Sequence, residues 1–291
     1  MDGGDQKRPA GRIALWALSD RYALRLTLGR GALGAQTLSL ALWDGDTSRA
    51  VRIAGAARPF GDSKPPALPQ GTDALRIQAG NCAALLERTG GGLRIVCRGA
   101  ESRGGLPLMA DVRLFQIDGP PWNAAGCGLR GPLPVAGRAE WGEGEYLFAP
   151  AHSFGIVERI PPGLGPAPRR RMLAAGLSAG EQVCLAASEG PFGSVLLRAG
   201  LVTPLPPPRW EEPGPEETAA DARLTWTCGE ATLTPLARLE TGKTRRTRDI
   251  WVFGRLNGRL TLPGNRHVIL RQTAAVWRET GGRKQEVEGR R

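Results

Sequence analysis

Apolar side chains recur at every second position along most of this chain, and that spacing constrains its fold more than any other feature. In YALRLTL, which begins at Tyr22, Leu24, Leu26 and Leu28 fall on one side while Arg25 and Thr27 fall on the other. That is the period of a half-buried strand and not of a helix. TLSLALW repeats the pattern with Leu38, Leu40 and Leu42. NCAALLE and LRIVC flank Thr89-Gly90-Gly91-Gly92, whose glycines can supply the positive φ angles of a tight turn, so this segment reads as a β-hairpin. Similar runs follow as DVRLFQI, EYLFA, QVCLAA, SVLLRA, RLTWTC, ATLTPLARL, DIWVFGRL, RLTLP and HVILRQTAAVW, most of them separated by Gly, Pro or Asp. With almost no helical period, the pattern predicts an all-β protein of antiparallel sandwiches or barrels.

Two stretches interrupt it. GDSKPPALPQGTD (61–73) and PLPPPRWEEPGPEETAAD (204–221) are rich in proline, which has no amide to give to a ladder, so both read as irregular connections and neither is expected in a central strand. The 41 Gly and 24 Pro are otherwise scattered between apolar runs as turn punctuation. A chain of 291 residues can bury about 75% of its unfolded surface without disulfides. A division inside GPLPVAG leaves two pieces of ordinary domain size, 1–134 and 135–291.

Several classes of function are disfavoured by composition. The five cysteines (Cys82, Cys97, Cys127, Cys184 and Cys228) are widely spaced with no Cys-x-x-Cys pair, and the only histidines are His152 and His267, so neither a disulfide framework nor a metal site nor a cofactor is expected. The opening MDGGDQKRPAGR has no apolar stretch behind it, and no run approaches the ~18 apolar residues of a membrane span. The expected address is the cytoplasm. The net charge of +11 is concentrated in residues 243–291, which hold thirteen Lys/Arg against four Asp/Glu. Only Trp251, Phe253 and Trp277 supply rings there. Single-strand binding needs more aromatic stacking than that, so the charge reads as solvated strand faces and nucleic acid is not the expected partner.

Two catalytic motifs match in letters but not in context. Gly29-Arg30-Gly31-Ala32-Leu33-Gly34 fits the dinucleotide fingerprint, yet the following AQTLSLALWDGD alternates like a strand, where the motif requires a helix N-terminus to hold pyrophosphate. Gly176-Leu177-Ser178-Ala179-Gly180 fits a nucleophile elbow with His267 downstream, but EQVCLAA behind it also alternates, which favours a β-turn. The densest polar cluster beside an apolar strand is PAHSFGIVERIPP. In an extended strand, positions 152, 154, 156 and 158 share one face, so His152 and Glu158 are expected on the same wall.

VAGRAEWGEGEYLFAPAHSFGIVE (135–158), RRRMLAAG with a following G-E-Q-V, DIWVFGRLNGRLTLPG (249–264), AAVW (274–277) and ALWALSDRYALRLTLGRGALGAQTLSLALWD (14–44) together resemble a bacterial family, domain-of-unknown-function 2804. That family is similar to the double-calycin proteins that include carotenoid hydratase, or hydroxyneurosporene synthase. The resemblance implies two lipocalin-like β-barrels packed together. It departs at Glu158, where the family has Asp, and at Arg171-Met172-Leu173, where the family has Trp-x-Trp.

The leading expectation is therefore a protein that holds a lipophilic small molecule in a barrel mouth or interdomain cleft, since such pockets are apolar with a few convergent polar groups. Trp141, Tyr146 and Phe154 are the candidate apolar wall, with His152, Glu158, Arg169 and Arg171 as polar contacts. The alternative, by analogy with the hydratase, is a cofactor-independent hydratase or isomerase in which Glu158, its pKa raised by an apolar barrel, protonates an unsaturated ligand.

Overall fold

A computed structural model describes residues 11–30, 35–57, 67–70, 73–100, 105–118, 122–124, 127–160, 170–189, 194–198, 200–211, 222–241 and 248–281. Among them there is no helix. The chain forms β1 (Arg12–Ser19), β2 (Tyr22–Arg30), β3 (Gln36–Asp44), β4 (Arg49–Ala57), β5 (Ala74–Ala79), β6 (Cys82–Thr89), β7 (Gly92–Gly99), β8 (Leu108–Phe115), β9 (Trp122–Ala124), β10 (Cys127–Trp141), β11 (Gly144–Phe148) and β12 (Ser153–Ile160). These build one antiparallel sheet in the order β4-β3-β2-β1-β12-β10-β8-β7-β6-β5, with β9 and β11 both paired to β10. A second antiparallel sheet holds β13 (Arg170–Ser178), β14 (Glu181–Ser188), β15 (Ser194–Arg198), β16 (Leu201–Leu205), β17 (Arg209–Glu211), β18 (Ala222–Trp226), β19 (Gly229–Thr241), β20 (Arg248–Leu262) and β21 (Arg266–Gly281). Its order is β16-β15-β14-β13-β21-β20-β19-β18-β17. The change from one sheet to the other falls between Ile160 and Arg170, whereas positions 134 and 135 lie inside β10.

The first sheet curls into a barrel because its two end strands meet. A Cβ placed on Gly55 of β4 would lie 1.7 Å from the carbonyl oxygen of Ala79 on β5, so only glycine permits the approach. Inside, the alternating leucines Leu24, Leu26, Leu28, Leu38, Leu40 and Leu42 meet Leu86, Leu93, Ile95, Leu108 and Leu114 in one packed core. The second sheet is a half-barrel over a smaller core that includes Met172, Leu185, Leu224, Leu256 and Leu270. Trp226 on β18 fastens it by donating Nε1–H to Ser194 Oγ on β15 at 3.2 Å. Pro204 and Trp210, in the proline-rich stretch, lie on β16 and β17, the two end strands of this sheet, where a missing amide costs least.

A third apolar layer joins the two sheets. Trp16, Leu18, Ala23, Trp43, Phe154 and Ile156 of the first pack against Leu173, Ala175, Cys184, Trp251, Phe253 and Val276 of the second. β1 is therefore buried on both faces, with Ile13, Leu15 and Ala17 in the barrel and Ala14, Trp16 and Leu18 in the layer. This corrects the reading of YALRLTL as a half-buried strand, because the face carrying Arg25 and Thr27 looks at the second sheet. Bulges decide which residues enter the layer. In β10 the register shifts between Arg130 and Leu133, which sends Leu129 into the layer but Leu133 and Val135 into the barrel, since one inserted residue swaps the faces. In β21, Gln272 at φ 49° accompanies the shift opposite Leu256/Gly258. Leu270 consequently faces the half-barrel core while Ala274 and Val276 face the layer.

The turns match their residues. Gly90 and Gly91 have φ of 43° and 77° in the β6–β7 hairpin, and Ala179 and Gly180, at 50° and 80°, turn β13 into β14. DIWVFGRL and RLTLP, read as separate runs, form the single strand β20.

Candidate functional site

The strand registers bring charged side chains to one end of the layer. On the first sheet Ala14 pairs with Glu158 and Trp16 with Arg25. On the second, Arg171 and Trp251 both pair with Arg278. Parity places Arg12 above Ala14 and Trp16 on β1, Arg25 beyond Ala23 on β2, and Glu158 beyond Phe154 and Ile156 on β12, all toward the partner sheet. Glu158 Oε1 accepts a hydrogen bond from Arg171 Nη1, and the two side chains are 4% and 13% exposed. Arg278 donates Nε–H and Nη2–H to the two oxygens of Asp249 at 2.9 and 3.3 Å.

Arg25 has a different environment. Its guanidinium lies 4.8 Å from the ring centre of Trp16 and 4.0 Å from that of Trp251, and Arg278 lies 5.1 Å from Trp251 on its own account. Trp16, Trp43 and Trp251 form a ring cluster with centres 5.7–6.4 Å apart. Aromatic faces attract cations through their quadrupole, but they do not satisfy N–H donors in the guanidinium plane. Arg25 Nε, Arg171 Nε, Trp16 Nε1, Trp43 Nε1 and Thr27 Oγ1 are all sealed from solvent without a hydrogen-bond partner. The four arginines, Glu158, Trp16 and Trp251, with Leu173 and Val276, surround a cavity of about 20 Å³. That is enough for a water-sized polar group.

Burial lowers the pKa of Arg25 to about 9; Glu158 opposes the shift, and Arg12, Arg278 and Arg52 reinforce it. Arg12 is also lowered, first by burial and then by Arg278. For Glu158, burial pushes upward, but Arg171, then Arg25, Arg12 and Arg278 outweigh it and hold the carboxyl below its ordinary range. The expectation of a raised pKa considered only burial; the guanidinium groups reverse the sign.

Of the residues singled out from sequence, Glu158 and Arg171 meet at the cavity, and Phe154 lies in the same layer four residues along β12 from Glu158. Trp141 and Tyr146 pack instead against the first barrel's core. Tyr146 donates to Asp44 Oδ2 at 3.3 Å, and burial, followed by the Asp44 charge, pushes its phenol up to about 12. Arg49 stacks 4.6 Å from Trp141. His152 is exposed in the turn before β12, its backbone N–H donating to Ala149 O at 2.9 Å. Arg169 lies outside the described residues. The elbow-like Ser178 accepts the Ile269 N–H at 3.1 Å, and His267 contacts Thr261. β2 and β3, which flank the dinucleotide-like motif, are an antiparallel pair with no helix between their described residues. Arg12, Trp16, Arg25, Trp251 and Arg278 were missed. A lone Arg inside an alternating strand was the available signal, and it reads as solvent-facing until a second sheet covers it.

A second hollow, about 780 Å³ and open to solvent, lies on the outer face of the first barrel. Ala83, Leu85, Val96 and Met109 floor it and Arg76 and Arg98 flank it. Among the described residues no three His, Cys, Asp or Glu side chains gather as a metal site would require, and no helix is long and apolar enough to cross a membrane.

A barrel and a half-barrel of antiparallel strands, joined face to face, define a double-calycin architecture. The sequence matches no family model and no curated protein. Solved structures do share the fold. Kievitone hydratase from Nectria haematococca aligns with 93% of this chain and 89% of its own at a TM-score of 0.61 and 10% identity. CghA, solved with Sch210972, covers 94% and 89% at 0.62 and 11% identity. An AttH-like protein from Nitrosomonas europaea covers 96% and 94% at 0.56 and 11%. At such identities the likeness concerns the fold alone.

Proposed function

We propose that the chain holds a lipophilic small molecule whose polar end reaches the arginine-rich end of the inter-sheet layer. The observation that carries this reading is the set of buried, incompletely paired charged and polar groups around a cavity in an otherwise apolar layer. Gluing two sheets needs only apolar contacts, and buried ionic groups are often replaceable by apolar ones without loss of stability. Clustered perturbed groups point to a site. The barrel interior is a poorer candidate because leucines fill it. The cavity admits the polar group, and the apolar body requires Leu173 and Val276 to move aside. Two fold neighbours support the reading by their names, one a hydratase and one solved with a small molecule. Kinship with the domain-of-unknown-function 2804 family is part of the same proposal.

The test is native mass spectrometry of freshly purified protein combined with tryptophan fluorescence, since Trp16 and Trp251 border the cavity. A co-purifying apolar molecule that quenches emission is expected. Absence of both co-purification and quenching by a panel of lipophilic compounds overturns the proposal. In the enzyme alternative, a carboxylate held ionised suits Glu158 to accept a proton or stabilise a developing cation more than to donate a proton. Glu158→Gln with unchanged turnover of a matched substrate removes that alternative.

A further inference from the structure

Resting on that reading of the layer as the ligand site, we infer that the polar end of the ligand is an anion, specifically a carboxylate, seated against Arg25 and Arg12. Four guanidinium groups face two carboxylates here, leaving two positive charges in excess. Both acids are committed, Glu158 to Arg171 and Asp249 to Arg278 through two hydrogen bonds. Among the described residues Arg12 and Arg25 form no ion pair of their own; Glu158 acts on both and Asp249 on Arg12 while paired elsewhere, and Arg52 adds a further positive charge near Arg25.

The rings decide how the anion approaches. Trp16 and Trp251 both lie against Arg25 with ring centres only 5.7 Å apart, so they crowd one side of it, and its Nε is sealed and unpartnered. The planar fork of a guanidinium matches the two coplanar oxygens of a carboxylate. A carboxylate, with two oxygens and one charge, is also a smaller group than a four-oxygen phosphate to seat in a cavity that holds about one water. A chain needing only a joint between sheets has no use for uncompensated charge in this position, and the tryptophans offset just part of it.

Calorimetric titration of the full chain with dodecanoate, dodecanol and formate tests the inference. Dodecanoate is expected to bind at least about tenfold more tightly than dodecanol, the scale of a charge-assisted hydrogen bond, with affinity falling as chloride rises. Arg25→Gln should remove that preference, Arg25→Lys should restore part of it, and Arg98→Gln in the outer hollow should change nothing. Equal binding of acid and alcohol by the unmodified protein overturns the inference yet leaves the ligand reading standing, and needs no variant to fold. Preference abolished by Arg98→Gln but not by Arg25→Gln also overturns it, moving the anion to the outer hollow. Formate binding that depends on Arg25, with neither long-chain compound bound, supports the anion seat and defeats the lipophilic reading. No binding of any of the three defeats both.

Discussion

The first barrel's interior and the layer between the sheets are both buried, yet they are built on opposite principles. The barrel is filled mainly by leucines, isoleucines and valines, close-packed so that each methylene contributes, and its buried carboxylate Asp44 is satisfied by hydrogen bonds from Thr47 and Tyr146. The layer mixes alanines and tryptophans with four arginines and two acids, and leaves donors unpaired. A chain that can fill a barrel with leucine could have filled the layer in the same way. The contrast teaches that the layer carries chemistry beyond cohesion, since strained or unsatisfied sites persist where function holds them.

Substitutions can break or sharpen this contrast. The largest effect belongs to the barrel: Leu40 is fully buried, and Leu40→Ala should cost about 3–5 kcal/mol in urea denaturation through lost transfer energy and the cavity left behind, with ligand affinity untouched. A small loss there would show the barrel to be loosely filled. Next, Glu158→Gln should cost about 3 kcal/mol at neutral pH, because it leaves Arg171 buried without its charge partner. The pH dependence has a fixed sign. Glu158 is depressed below its ordinary value of 4.5, so its contribution is present above that pH and is lost as pH falls through the folded value. The wild type should therefore lose stability below about pH 4.5 more steeply than Glu158→Gln, and parallel acid limbs would contradict the pairing.

Arg25→Met is the sharpest discriminator. Replacing a buried charge by an apolar side chain is often neutral or stabilising, while the stacking on two tryptophans is worth about 1–2 kcal/mol, so a net change within about 1 kcal/mol is expected from the same denaturation curves. A loss as large as that of Leu40→Ala would make Arg25 a structural residue and erase the contrast. The smallest effect belongs to the surface: Arg94 and Asp111 are 46% and 45% exposed, and Arg94→Ala should leave the denaturation midpoint where it was, as exposed pairs generally do.

Much of the architecture was legible because alternation is a local code. Leu24, Leu26 and Leu28 and the glycine hairpin at Gly90–Gly91 follow from residue geometry over a few positions, whereas the end strands β16 and β17 arise in a stretch read as an irregular connection. Of the residues around the candidate site, only Glu158 and Arg171 were singled out from sequence. Tyr146 and Trp141 are close to Glu158 in sequence, but β11 and the bulged β10 carry them to the barrel. Arg12, Arg25 and Arg278 come from three strands up to 266 residues apart, and nothing local marks an arginine as covered. The face of a strand is set by its own pleat; whether that face meets water is set by its partners.

The sequence by itself determined that strands form, which residues share a face, and that glycine or proline ends them, since these depend on dihedral preference and a two-residue repeat. Only the tertiary structure decided that β1 and β2 are covered on both sides, that bulges in β10 and β21 swap inward and outward residues, and that four arginines converge on Glu158 and two tryptophans. Those outcomes depend on register and on the docking of two sheets, where one inserted residue exchanges the faces and a remote surface supplies the low-dielectric wall.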